Sequence, residues 1–233
     1  MRSNRISALL VVHDGATWLP EVVASIASQT HPADQILAID TGSIDSSPKL
    51  LKGARIPTLT LDRTTSFGSA LAEGVAQLPD LSKDSNEELD EWLWILHDDC
   101  TLDPRALEEL VAAVTDRPSI AMAGPKLLGW HDRTHLLEAG ISIATNGSRW
   151  TGLEPHEYDQ GQRDGNHEVL AVSTAGALIR RRVFEELGGF DPNLELFRDD
   201  VDFGWRLHAA GHSALVVTSA IGYHAQAAAT ERR

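Results

Sequence analysis

Two aspartates, Asp98 and Asp99, stand side by side directly after the apolar run Trp92 to Leu96. Adjacent ionised carboxylates repel unless a cation holds them, and hard divalent ions take oxygen ligands. Mg²⁺ or Mn²⁺ bound this way completes its shell with substrate phosphate oxygens. The pair therefore points to chemistry on a phosphate-bearing substrate, although it could equally cap a turn ahead of Asp103-Pro104. A second acidic cluster, Asp199-Asp200-Val201-Asp202, opens a helical stretch. Capping and the helix dipole favour carboxylates there, and the same dipole keeps one ionised at neutral pH, as a general base must be. Asp202 and Arg206 have the i, i+4 spacing of a helix ion pair.

Other groups carry weaker signals. His224 follows the last apolar run. His97 and Cys100 flank the aspartate pair, but a zinc site built on them lacks paired Cys or a His-x-x-x-His arrangement. Thr41-Gly42-Ser43 is a lone Gly-Ser turn, with no GxxxxGK[ST] or GxGxxG cradle beside it. Arg180-Arg181-Arg182 could reach a diphosphate, yet its place at a helix entry predicts a solvent-facing run. Trp130 and Trp150 border a polar insertion, where they could stack on sugar faces or anchor loops.

The elements that must position these groups follow from hydrophobic spacing. Ile6 to Val12 reads as a buried strand, and Leu19, Val22, Val23 and Ile26 repeat at helical spacing. Ile36 to Ile39 and Thr58 to Leu61 are further strands, followed by a helix with Phe67, Ala70, Leu71, Val75 and Leu78 on one face. Leu81 to Glu91 is polar and acidic and reads as an exposed loop. Trp92 to Leu96 is a fourth strand, and Asp103-Pro104 opens a helix through Leu107, Leu110, Val111 and Val114. In the second half, Asn146-Gly147 is a hairpin turn and Val169 to Ile179 a strand. Arg182 to Leu187 is a helix stopped by Gly188-Gly189. Another helix runs from Asp199 or Asp200 to Ala210, and Ser213 to Ile221 is a last strand. Alternating strands and helices predict an α/β fold, a mostly parallel central sheet flanked by helices on both faces. Ligands bind such sheets outside the carboxyl ends of the strands, which is where Asp40 and Asp98-Asp99 fall.

The 233 residues suffice for one domain with a buried core, and 42% hydrophobic with 23% charged residues is a soluble globular balance. A net charge of −14 points away from nucleic acid and anionic lipid, since both are bound through Lys and Arg. A pyrophosphate substrate would then call for a bound cation. The single cysteine excludes an internal disulfide and favours a reducing, cytoplasmic setting. No apolar run spans a bilayer, and Met1 to Arg5 leads straight into a strand without a signal peptide.

The order of these pieces resembles family 2 glycosyltransferases. Val11-Val12-His13-Asp14-Gly15, Leu19-Pro20 and Ser28-Gln29-Thr30 resemble that family's opening, and Asp40 to Asp45 its Asp-x-x-Ser-x-Asp element. Leu96-His97-Asp98-Asp99 is similar to its Asp-x-Asp or triple-Asp motif. Gly188-Gly189-Phe190-Asp191 and Phe197-Arg198-Asp199-Asp200-Val201-Asp202 match later signatures, and Arg206-Leu207, Ala210-Gly211-His212 and Tyr223-His224 follow in order.

The resemblance implies a single Rossmann-like GT-A domain over 1–233, with a nucleotide-sugar-binding half (1–125) and an acceptor-binding, catalytic-base half (126–233). It implies an inverting transfer from a nucleotide-diphosphate-sugar donor to a saccharide or lipid-linked saccharide acceptor, in cell-envelope polysaccharide or glycolipid synthesis. His13, Asp14, Asp40 and Asp98 would shape the nucleotide pocket. Asp99 and His224 would hold the Mn²⁺ or Mg²⁺, Asp200 would be the base, and Asp199 and Trp150 would support the acceptor side. Three positions depart from the pattern. His97 replaces the first Asp of the triple motif, which leaves it outside the expected metal set. Asp14 stands where Asn is common, and Ala72-Glu73-Gly74 stands where many members carry Arg-Asn-Gly beside the donor. These changes keep a non-catalytic nucleotide-sugar-binding module as an alternative, with a metal-dependent phosphohydrolase as a third reading. The chain is expected to be a minimal catalytic domain or a piece of a longer protein whose other segments meet the inner face of the membrane.

Overall fold

A computed structural model of the chain describes residues 3–79, 89–194 and 198–227. The first half runs β1 (Ser3–Val12), α1 (Leu19–Ala27), β2 (Gln35–Asp40), α2 (Ser47–Gly53), β3 (Thr58–Thr60), α3 (Phe67–Gln77) and β4 (Leu89–His97). It continues through β5 (Cys100–Leu102), α4 (Ala106–Val114) and the long β6 (Ile120–Gly129). The second half holds β7 (Leu136–Glu138), β8 (Ser142–Ile143), β9 (Arg149–Trp150), β10 (His167–Val169) and β11 (Leu178–Arg180). It closes with α5 (Arg181–Glu186), α6 (Asp199–Ala209) and β12 (Ser213–His224).

Among the described residues ten strands form one mixed, mostly parallel sheet, ordered β10-β12-β6-β11-β4-β1-β2-β3, with β5 on β12 and β7 on β6. The β4-β1-β2-β3 block is parallel, as is β12 beside β6, while β11 joins the blocks in the opposite sense. Side chains alternate across a strand, so each central strand feeds two cores. Ile6, Ala8, Leu10 and Val12 of β1 join Trp92, Trp94 and Leu96 of β4 under α1, α2 and α4. Leu9 and Val11 with Leu93 and Ile95 face α3, α5 and α6, where Phe184, Phe190 and Phe203 stack. Helices on both faces are thus written into the alternation.

Several elements differ from the spacing-based expectation. Of the stretch 81–91 read as a loop, 81–88 lie outside the described residues and Leu89–Glu91 begin β4. Val169 to Ile179 is not one strand: β10 ends at Val169, β11 opens at Leu178, and Ala171 between them bridges Ile141. α4 starts two residues past Pro104, because Asp103 Oδ1 accepts from Arg105 N at 3.2 Å in a turn ahead of it. β5, β6 and α2 carry no expectation from the sequence. The arginine run is not solvated throughout. Arg180 is buried, ion-paired with Asp90 and stacked 4.4 Å from the Trp92 ring centre, at the amino end of β4. That end lies opposite His97, so Arg180 cannot serve a diphosphate there.

Candidate active site at the carboxyl edge of the sheet

The carboxyl ends of β1, β2 and β4 are tied together by the residues that follow them. His13 N donates to Asp98 Oδ2 at 2.8 Å, and the His13 ring lies 2.8 Å from Thr41 Oγ1. Asp40 closes β2 as a buried carboxylate, with Ser43 N donating to its Oδ1 at 3.1 Å. Asp14, in a left-handed backbone conformation, accepts from Ile44 N and pairs with Arg63 at 2.5 Å. The Arg63 hydrogen bond pulls its carboxyl down to about 2. Gly15 lets the β1 turn lie against Asp98, since a Cβ there would overlap that carboxylate. Buried Asp40 and Asp98, with part-exposed Asp14 beside them, form one acidic floor at the edge of the sheet.

Asp99 gathers the far end of the chain onto this floor. Its Oδ1 lies 3.1 Å from His224 Nε2, its Oδ2 accepts from Ala227 N at 2.8 Å, and its carbonyl accepts from Ala225 N at 2.9 Å. Burial alone would raise its pKa. The His224 hydrogen bond and the charges of His224 and His97 outweigh that and hold it well below the carboxylate range. His97, expected to stand outside the metal set, lies beside Asp99 and His224: one ligand atom of each is within 4.8 Å of the others. The His97 and His224 rings meet edge to face at 5.6 Å, and His97 Nε2 lies 2.9 Å from Thr174 Oγ1. Two imidazoles and a carboxylate suit a divalent first-row transition metal, Mn²⁺ among them, better than Mg²⁺. The donor set therefore fits a metal. Cys100 stands outside this group, packed in a small apolar cluster with Leu127 and Ala175.

The second acidic cluster sits at the head of α6. Arg198, with φ +85°, turns the chain so that Asp199 and Asp200 are both buried in the first helical turn. Asp200 Oδ2 accepts from Arg149 Nε at 3.1 Å. The Asp199 carboxyl is pushed up to about 6, by burial first and by the Asp200 charge next. Asp202 pairs with Arg206 at 2.6 Å as its spacing predicts. Phe197 lies outside the described residues.

Neither Glu138 nor Arg149 is marked by sequence spacing, yet both stand beside Asp200. Arg149 pairs with Asp200 on one side and Glu138 on the other. Burial pushes the Glu138 carboxyl up, with the Arg149 charge opposing. A carboxylate inside the apolar run Leu136-Leu137-Glu138-Ala139 was the one available sign. Trp150 is exposed and lines a cavity of about 640 Å³ with Arg163, His167, Glu168 and His208. Trp130 instead packs against the first core, as an anchor would. Glu73 lies exposed on α3.

A family model described as glycosyltransferase like family 2 matches residues 9–232. The chain is 25% identical over 248 aligned residues to an N-acetylglucosaminyl-diphospho-decaprenol L-rhamnosyltransferase of Mycobacterium tuberculosis, covering 97% of this chain and 78% of that protein. Among solved structures it resembles GalNAc-T7 with UDP, GalNAc and Mn²⁺, at TM-score 0.71 and 19% identity, over 94% of this chain and 43% of that one. It also resembles the mannosyltransferase PcManGT from Pyrobaculum calidifontis in complex with GDP-Man and Mn²⁺, at TM-score 0.66 and 14% identity, over 97% and 57%. The chain thus spans about half the length of these solved proteins, and the likeness establishes the GT-A fold.

Proposed function

The chain belongs to the glycosyltransferase-like family 2, and on that premise we propose that it is a metal-dependent, inverting enzyme moving a sugar from a nucleoside-diphosphate sugar to an acceptor hydroxyl. The observation that carries this reading is the convergence of His97, Asp99 and His224 at the carboxyl edge of the sheet. His97 closes β4, Asp99 lies in the turn between β4 and β5, and His224 closes the last strand. A divalent metal held by these three would neutralise charge developing on the departing diphosphate.

The remaining roles belong to the chain's own groups. Asp40, with the His13 and Asp14 turn that braces the loop after it, receives the nucleotide base, and Asp98 receives the ribose. Both carboxylates are buried and already fixed by backbone donors, so little ordering remains when the donor binds. Asp200 takes the proton of the acceptor hydroxyl as that oxygen attacks the anomeric carbon from the face opposite the leaving group, which inverts the centre. Asp199 and Trp150 flank the acceptor side. Residues 1–125 then form the donor half and 126–233 the acceptor half.

The named substrate of the mycobacterial relative supports a lipid-diphosphate-linked saccharide as acceptor, and we infer that the transfer takes place at the cytoplasmic face of a membrane. No helix among the described residues is long and apolar enough to cross one. The test is a thermal-shift screen of UDP, GDP and dTDP and their sugars, with and without Mn²⁺. A ligand present at about 100 times its Kd stabilises the folded state by roughly 2.7 kcal/mol. One nucleotide series is expected to raise Tm only with Mn²⁺, and loss of the effect in His97→Ala would place His97 in the metal set. No metal-dependent shift with any nucleotide would refute the proposal.

A further inference from the structure

A line of polar contacts runs from the core to Asp200. Ser173 N donates to Glu138 Oε1 at 3.0 Å, Glu138 Oε2 accepts from Arg149 Nη2, and Arg149 Nε donates to Asp200 Oδ2 at 3.1 Å. The other Asp200 oxygen accepts from Val201 N at 2.8 Å. Both oxygens are thus held in one orientation, one by the helix head and one by a guanidinium that is itself anchored.

Glu138 is an expensive anchor. It is 5% exposed, lies at the end of β7 between apolar neighbours, and comes from a position where an apolar side chain would pack with no charge to bury. Its carboxylate is compensated by the fork of Arg149, and the charge of His224 reaches it as well. Arg149 stands on the two-residue strand β9. A surface ion pair pinning that hairpin would not require a buried carboxylate behind it, and would not aim Nε at Asp200.

We propose that Arg149, held by Glu138, is a positioning residue that orients the Asp200 carboxylate for proton transfer. The inference rests on the reading of Asp200 as the base. The guanidinium reaches two carboxylates from separate nitrogens in a rigid plane, which fixes the direction of each bond; a lysine ammonium can reach two carboxylates only from one point and without that plane.

The test measures release of nucleoside diphosphate from the UDP-, GDP- or dTDP-sugar that gives the largest Mn²⁺-dependent thermal shift, with water as acceptor. Arg149→Ala, Arg149→Lys, Glu138→Gln and Asp200→Asn are compared for kcat, KM and Tm. Misaiming a catalytic group by about 1 Å costs on the order of 100-fold, so Arg149→Ala is expected to lose about 10- to 100-fold in kcat with KM for the donor unchanged. Added guanidinium at concentrations that leave Tm unaltered is expected to restore part of that loss in Arg149→Ala and none in Asp200→Asn. If Arg149→Ala does not fold, a kcat loss in Arg149→Lys and Glu138→Gln at parent Tm carries the proposal. Parent kcat in any folded Arg149 variant, alongside an inactive Asp200→Asn, would overturn the positioning role alone. Parent turnover in Asp200→Asn would overturn the base assignment and this inference with it.

Discussion

Asp199 and Asp200 share one helical turn, but their neighbours treat them differently. Asp200 has a guanidinium against it, whereas Asp199 is buried with its Oδ1 unpartnered and its carboxyl pushed from 3.8 up to about 6. The folded state therefore holds the Asp199 proton more tightly than the unfolded chain does. That contribution to stability is complete below about 3.8 and is lost as pH rises through about 6. Asp199→Asn keeps the shape and removes the charge. It is expected to raise stability above pH 6 by about 1–3 kcal/mol, and to flatten the Tm profile between pH 4 and pH 6. A variant with the parent's slope would show that Asp199 is not the titrating group. At this scale the sequence was most legible where order along the chain carried meaning: Asp40, Asp98 and Asp99 lie at the carboxyl ends of β2 and β4, and Asp200 at the head of α6. It was least legible at Glu138 and Arg149. Their significance lies in a pairing between β7, β9 and α6 that no local spacing encodes. His97 breaks the carboxylate pattern of its motif, yet an imidazole is itself a good ligand for a transition metal.

The helix that carries the acidic pair owes its place to close packing. Gly204, one turn past Asp200, lies against the 170–171 segment, and a Cβ there would overlap the Leu170 carbonyl and the Ala171 side chain. Backbone cannot yield as a flexible side chain can. Gly204→Ala is therefore expected to cost about 1–3 kcal/mol and to lower Tm by about 2–4 °C per kcal/mol, measured by thermal denaturation. Unchanged stability would mean that α6 sits further from that segment. Elements with unbroken periodicity, such as β1, α3, β4 and α6, were readable from the chain alone. β6 was not, because Gly124-Pro125-Lys126 interrupts its apolar run. Its ten residues are nonetheless all buried, and Pro125 lies where the β12 pairing changes register, a place that tolerates a missing donor. Lys126 is satisfied there by Asp159 and Asp164, each at 2.7 Å. β5 is three residues long and exists only because β12 pairs with it, a partner more than a hundred residues away.

Across the whole molecule, one sheet joins a parallel block that ends in the acidic floor to a mixed block that delivers His224, and α6 is packed beneath it to present Asp200. The net charge of −14 accords with the proposed reading, in which a cation rather than basic side chains would draw the donor diphosphate. On the proposed reading, charge, sheet order and site describe one arrangement, in which the donor would be held on the metal side and the acceptor deprotonated from α6. The most direct test pairs Asp200→Asn with the parent, following Mn²⁺-dependent nucleotide binding, donor turnover and, by NMR, the anomeric configuration of the newly released sugar. The expected result is unchanged nucleotide binding, an inverted anomer from the parent, and turnover in the variant reduced by about 10²- to 10⁴-fold, the contribution of a general base. A retained anomeric configuration, or a variant that turns over donor at the parent rate, would contradict the account.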